Sequence, residues 1–178
     1  MTPQPPHRSE FAVRPATVDD LPAVREIYNH YVATTTCTFQ LEPETLAERE
    51  RWFHDRDQRH AVTVAESDGV VAAWASLSPW KSRCAYEHSA EVSVYVRHDR
   101  RRMGLGRALL RDLIARARSS RMHTLIAGVC TEHPGSIALH ESEGFERAAL
   151  FRQVGRKFDR WLDVAYLQLM LGEPGGAG

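Results

Sequence analysis

The stretch "AEVSVYVRHDRRRMGLGRALL", Ala90 to Leu110, sets the fold, because a strand, a turn and a helix follow one another inside it. Ala90 to Val96 is β-branched and aromatic, the composition of a buried strand. Leu105, Ala108, Leu109, Leu113 and Ala117 recur at three- and four-residue steps, the stripe of an amphipathic helix that ends near Arg121. Between them lie Arg101, Arg102, Met103, Gly104, Leu105, Gly106 and Arg107. The first N–H groups of a helix lack intrahelical partners and sit at the positive end of its dipole. Gly104 and Gly106 carry no Cβ, so the backbone can approach a ligand closely, and the arginines add charge-assisted donors. This chemistry suits phosphate or pyrophosphate. A solvated charge run on a tight turn is the plainer alternative, and spacing alone leaves both open.

Working outward, "HTLIAGVC" (His123 to Cys130) reads as another buried strand, which makes the centre a parallel β-α-β unit. Upstream, "AVTVAE" and "VVAAWASLS" flank Ser67-Asp68-Gly69, a hairpin signal. "WKSRCAYEHS" (Trp80 to Ser89) has no period and reads as a loop. Near the start, "FAVRPA" is a short strand, followed by a helix with Thr17 as N-cap and Leu21, Val24, Ile27, Tyr28 and Tyr31 inward. A second helix is predicted over Pro43 to Asp57, with Leu46, Trp52 and Phe53 inward. Downstream, "PGSIALHESE" is a short helix stopped by Gly144, and "FERAALFRQVG" and "RWLDVAYLQLML" are two final strands. No repeat and no internal linker divides the chain, so residues 11–171 read as one domain, with residues 1–10 and 172–178 as flexible ends.

Composition narrows the function. Formal net charge is zero over 178 residues, so the whole molecule has no long-range pull on nucleic acid or anionic membrane. Nine arginines between Arg97 and Arg121 make a local basic site, but the aromatic interleaving of a nucleic-acid binder is missing. Cys37, Cys84 and Cys130 show no paired spacing, which argues against a zinc ribbon or disulfide framework and fits a reducing cytoplasm. The histidines have no ligand spacing, and no metal is assigned. No apolar run approaches the ~20 residues that span a bilayer.

Two phosphate motifs fail on the residues. A dinucleotide fingerprint needs a third glycine where Leu109 stands, and a P-loop needs Gly-Lys-Ser/Thr. Arg101-x-x-Gly104-x-Gly106 after a strand instead resembles the acetyl-CoA motif of the GNAT acetyltransferases. The resemblance extends from about Val13 to Leu171 through "VRPAT", "IYNHYV", "WASLSPWKSR", "LIAGV", "LHESEGFE" and "RWLDVAYLQL", within the family's phosphinothricin and methionine sulfoximine branch. It implies an α/β (α+β) fold with a mixed, mostly antiparallel sheet flanked by helices and splayed at the acetyl-CoA strand. It also implies acetyl-CoA as co-substrate, held by the backbone of Val94, Tyr95 and Val96 and by the turn from Arg101 to Arg107. Many relatives of that kind are dimers, so a homodimer is expected.

Acetyl transfer to an amine needs a base for the amine proton and no enzyme nucleophile. Glu91 opens an otherwise apolar strand, where partial desolvation raises a carboxyl pKa, and the family places its proposed base there. His140 lies three residues after Ile137 on an inward helix face; an acid/base role and a hydrogen-bonded core role both suit it. His133 stands where the family has asparagine, and Pro134 follows it, removing a donor, so the cofactor contact there is changed. Ser142 matches a position near the cofactor. Lys81, Arg83, Cys84, Ala85 and Tyr86 form the expected substrate loop, whose cations suit a carboxylate or phosphinate. Arg156 and Asp159 depart from the family in the specificity region. The expected reaction is acetyl transfer to the α-amine of a small amino acid or analogue of the phosphinothricin, methionine sulfoximine or methionine sulfone type. The alternatives are acetylation of protein N-termini, lysine or polyamines, and a non-catalytic acyl-CoA-binding module on the same fold.

Overall fold

The computed structural model describes residues 11–172. Both expected flexible ends, residues 1–10 and 172–178, lie outside the described residues apart from Gly172. The strands are β1 (Phe11–Pro15), β2 (Val62–Ser67), β3 (Val70–Pro79), β4 (Ser89–Val96), β5 (Thr124–Cys130), β6 (Glu146–Lys157) and β7 (Arg160–Met170). The helices are α1 (Leu21–Thr34), α2 (Leu46–His54), α3 (Leu105–Ser119) and α4 (Pro134–Glu141). They build one seven-stranded sheet in the order β1-β2-β3-β4-β5-β7-β6. Every neighbouring pair is antiparallel except β4 and β5, the pair joined by α3. The mixed, mostly antiparallel sheet expected from the sequence is therefore present, with its parallel step at the β-α-β unit.

Two apolar clusters cover the two faces. The larger packs Leu105, Leu109, Leu110 and Leu113 of α3, with Ile137 of α4 and Phe145, against Leu77, Val92 and Leu125. The smaller is aromatic: Val24, Ile27 and Tyr31 of α1 meet Trp74 and Tyr95, whose rings stack at 4.8 Å. Because strand side chains alternate, β4 sends Val92 and Val94 to the α3 face and Glu91, Ser93 and Tyr95 to the α1 face.

Two helices differ at their starts from the sequence reading. Thr17 caps a one-turn 3-10 segment, Val18–Asp20, and its N–H donates to the Asp20 carboxylate at 2.8 Å, so α1 begins only at Leu21. The second helix is shorter than Pro43 to Asp57, because Thr45 and Glu48 close a capping box that starts α2 at Leu46. Its inward residue is also a correction. Leu46, Trp52 and Phe53 are only half-buried, whereas Arg49 is 2% exposed. The Arg49 guanidinium pairs with Glu44 and lies within 4.2 Å to 5.0 Å of the ring centres of Trp52, Tyr28 and Trp74. An ion pair plus aromatic faces makes a buried arginine tolerable where hydropathy alone would put it in water.

The turn joining β6 to β7 is Phe158-Asp159, with φ of 50° and 57°. Both central residues of a tight hairpin turn need this left-handed conformation, which glycine and asparagine adopt far more cheaply than phenylalanine. Asp159 recovers part of the cost through an ion pair with Arg156 at 3.0 Å. Replacing Phe158-Asp159 by Asn-Gly should raise the unfolding free energy by about 1–2 kcal/mol in a denaturant titration. A drop in stability would show that the exposed Phe158 ring or the Arg156 pair outweighs backbone strain.

Candidate active site

The site begins as a defect in the sheet. β4 and β5 pair only over Ser89–Thr124, Ala90–Leu125 and Glu91–Ile126, and beyond Glu91 the strands separate. On its other edge β4 stays paired with β3 as far as Val96, and the Arg97 N–H donates to Ala72. Since that bond turns Arg97 toward β3, alternation turns the peptide groups of Val92, Val94 and Val96 toward the gap. The Tyr31 hydroxyl donates to the Val96 carbonyl and closes the far end of the gap. A cavity of about 660 Å³ fills it, lined by β4 from Glu91 to Val96 and by β5 from Ala127 to Cys130.

A second cavity of about 440 Å³ adjoins the first, sharing Val96, Arg101, Arg102, Gly135 and Leu139. Its wall is the cationic turn: Arg101, Arg102, Gly104, Leu105, Gly106 and Arg107 all line it. Arg102 has φ of 64° and Gly104 φ of 85°, a turn of the sort that gathers N–H groups into an anion-holding concavity. The two glycines serve different ends. A Cβ on Gly104 meets nothing within 4 Å, so glycine is needed there for its backbone and for the open side toward the cavity. A Cβ on Gly106 would come to 3.3 Å from Leu139 and 3.5 Å from Val96, so its absence lets α3 pack against α4 and β4. Arg97, Arg100 and Arg107 pair with Asp99, Asp68 and Glu143. Arg101 and Arg102 have no carboxylate partner among the described residues; Arg101 donates to the Tyr31 hydroxyl at 3.1 Å. Uncompensated positive charge is thus concentrated on the turn. An elongated cleft with a cationic, N–H-rich end and a strand edge along its side fits an acyl carrier with a pyrophosphate.

Glu91 sits at the fork. Its carboxyl is pushed above the usual range by burial, with the charge of Lys81 pulling the other way. Gly128, paired directly with Tyr166 across the β5–β7 ladder, makes the room: a Cβ there would lie 3.1 Å from the Tyr166 ring and 3.6 Å from Glu91 Oε1. Tyr166 in turn meets Trp80 and Phe151 edge-on, with ring centres 5.5 Å and 5.3 Å away. His140, 4% exposed, lines the same cavity from α4. Its Nδ1–H donates to the Ser136 carbonyl at 2.8 Å, and burial holds its pKa below the ordinary value. The ring is therefore neutral with its proton on Nδ1. Its buried Nε2, which has no partner among the described residues, is an acceptor and not a resting acid.

The structure brings Glu91, Val94, Tyr95, Val96, His133 and His140 into the larger cavity and the turn from Arg101 to Arg107 around the smaller one, Met103 excepted. Met103 packs on the core beside α3. Ser142 lies off both linings; its hydroxyl donates to Leu139 and accepts from Arg107 at 3.2 Å. Lys81, Arg83, Cys84, Ala85 and Tyr86 are exposed and line neither cavity, and of these Lys81 alone acts on Glu91. Sequence reading missed the opposite wall, Cys37, Thr38 and Phe39. The segment carrying it is pinned from afar: buried Lys157 donates to the Thr38 carbonyl at 2.8 Å, and the Phe39 ring occupies the space a Cβ on Gly155 would need. Gly155 near the end of a strand pattern was the one available signal of such a close approach.

A sheet opened beside a parallel β-α-β unit, with an N–H-rich cationic turn at the helix start and a desolvated carboxyl at the fork, defines an acyl-CoA-dependent transferase. The profile of the acetyltransferase (GNAT) domain matches residues 13–166, and the chain belongs to that family. It is 40% identical over 164 residues to the L-amino acid N-acyltransferase of Escherichia coli, covering 92% of this chain and 95% of that one. It is 40% identical over 162 residues to the L-methionine sulfoximine/L-methionine sulfone acetyltransferase of Pseudomonas aeruginosa, covering 90% and 94%. Among solved structures, yncA from Salmonella typhimurium with its cofactor acetyl-CoA superposes with a TM-score of 0.89 at 38% identity, over 92% of this chain and 95% of that one. A ribosomal-protein-alanine N-acetyltransferase from Brucella melitensis superposes with a TM-score of 0.87 at 41% identity, over 89% and 99%.

Proposed function

We propose that this protein transfers acetyl from acetyl-CoA to the α-amine of a small amino acid or analogue of the methionine sulfoximine, methionine sulfone or phosphinothricin type. The carrying observation is the Glu91 carboxyl, raised in pKa by burial, at the point where the two central strands part. In this reading the thioester lies along β4 with its pyrophosphate at Arg101 to Arg107. The free amine attacks the thioester carbonyl, the new C–N bond forms, and Glu91 takes the amine proton directly or through water. Collapse of the tetrahedral intermediate breaks the C–S bond and releases CoA as thiolate, which the departing proton can neutralise. His140 Nε2 accepts a hydrogen bond at the reacting centre. Lys81 and Arg83 attract the substrate's anionic end, and Trp80, Phe151 and Tyr166 face its apolar portion. Residues 11–171 work as one domain in the cytoplasm and pair into a homodimer. The exposed Leu150, Phe151, Val154 and Trp161 on β6 and β7 support that pairing, which sedimentation checks.

The second reading, acetylation of protein N-termini, is favoured by the likeness to the ribosomal-protein-alanine enzyme. A thiol-release screen separates the two. The expected result is turnover with methionine sulfoximine, methionine sulfone or phosphinothricin, with spermidine and lysine peptides poor because they meet like charge. Arg83→Ala should raise KM for the anionic substrates more than for an uncharged amine. Robust acetylation of peptide N-termini with none of the amino-acid analogues accepted would overturn the small-molecule reading.

A further inference from the structure

Thr36, Glu132, His133 and Arg160 come from three separated parts of the chain and meet in one hydrogen-bonded line at the rim of the larger cavity. Arg160 Nη1 and Nη2 donate to Glu132 Oε1 and Oε2 at 2.7 Å and 3.1 Å. The buried Thr36 hydroxyl lies 2.9 Å from Glu132 Oε2 and 3.0 Å from His133 Nε2. Cys130 Sγ donates to the same hydroxyl at 3.7 Å.

The protons can be placed in only one way. A carboxylate held by a guanidinium stays ionised and can only accept, so the single Thr36 hydroxyl proton goes to Glu132. The Thr36 oxygen then has two lone pairs left, one for the Cys130 thiol and one for His133. The hydrogen on the His133 contact therefore belongs to Nε2. Burial outweighs the opposing charge of Glu132, with Arg101 adding to burial, and keeps the His133 pKa below the ordinary value, so the ring is neutral and Nδ1 is bare. That nitrogen has no protein partner among the described residues, and the ring lines the larger cavity. The next residue, Pro134, has no N–H to offer. This corner of the channel is an acceptor, where an asparagine amide would present donor and acceptor alike.

We infer that Arg160, Glu132 and Thr36 are positioning residues that lock His133 in its Nε2–H tautomer, so that Nδ1 accepts a hydrogen bond from an amide N–H of the acyl-CoA arm. The inference rests on the acetyl-CoA reading above. The same line ties the segment bearing Cys37 to Phe39 to the β5–α4 connection, so it also fixes the width of the channel.

The test uses the full chain labelled with ¹⁵N-histidine, with His133 assigned by loss of its signals in His133→Gln, and calorimetry with CoA. The expected spectrum shows His133 protonated on Nε2. In Glu132→Gln the side-chain amide can donate to Thr36, the hydroxyl proton is freed to turn, and the Nδ1–H form should appear. CoA affinity should fall with it by roughly fivefold, the worth of one hydrogen bond. Arg160→Lys keeps the charge on Glu132 and should preserve both tautomer and affinity. Glu132 and Arg160 are surface residues, so loss of fold does not confound the result. A wild-type His133 protonated on Nδ1, in a protein that binds CoA, overturns the inference alone, as does unchanged CoA affinity in Glu132→Gln. A wild-type protein that fails to bind CoA overturns the acetyl-CoA reading and the ligand assigned here with it.

Discussion

Glu91→Gln should lower kcat by about 10²–10⁴-fold, the usual cost of losing a positioned general base. The substitution keeps the size of the side chain, which is confined between Gly128 and the Tyr166 ring, so KM for acetyl-CoA should change little. The defect should shrink as pH rises, because more of the substrate amine is then free without help. In the wild type, activity should fall on the acid side as Glu91 takes a proton. Burial raises the Glu91 pKa, so that limb should lie above the range of an ordinary carboxyl. Lys81 pulls the pKa down, so Lys81→Met should move the limb to still higher pH. A full rate for Glu91→Gln across the pH range would show that the carboxyl is structural.

Gly104→Val should weaken acetyl-CoA binding by roughly 10²-fold or more. Two causes combine. The left-handed backbone at Gly104, φ of 85°, is costly for any L side chain and worse for a β-branched one. The new methyl groups would also occupy the open side that the 440 Å³ cavity presents to a pyrophosphate. Losing two charge-assisted hydrogen bonds at about 1.5–3 kcal/mol each is enough for the stated loss. Gly104→Ala separates the causes, since it keeps the strain and adds one methyl. Calorimetric titration and a thermal melt on the same samples decide the matter: unchanged affinity in a folded Gly104→Val protein would remove the pyrophosphate from this turn.

The centre of the molecule was legible because its signals are local. The strand of Ala90 to Val96, the stripe of α3 and the glycine turn are adjacent in sequence, and their periods differ plainly. Glu91 was legible for the same reason, as a lone carboxylate in an apolar run. The opposite wall was not. Cys37 to Phe39 carry no periodicity, and they reach the cavity only because Lys157 and Gly155, more than a hundred residues later, hold them there. Arg49 escaped notice because its burial depends on three aromatic neighbours, two of them outside its own helix. Tyr166 needed the register of two strands: only when Gly128 is known to face it does the aromatic group beside Glu91 appear. For Lys81 to Tyr86 the residue types suggested a binding loop, whereas the fold leaves them exposed, with Lys81 Nζ 4.9 Å from the centre of the Trp80 ring and its charge acting on Glu91.

The parting of β4 from β5 has a consequence for the folded state itself. A strand that loses its neighbour mid-length leaves peptide groups that only water or a guest can satisfy, and here they are the Val92 carbonyl and both groups of Val94, since the Glu91–Ile126 bridge still engages the Val92 N–H and Tyr31 has claimed the Val96 carbonyl. A guest that lies along this edge completes the sheet as a surrogate strand. The native state then gains free energy with ligand concentration, about 2.7 kcal/mol at a hundred times Kd. The protein's resistance to unfolding is thus set partly by the supply of its acyl donor. A starved protein is the more fragile one, and the seam left open runs from Glu91 to Val96.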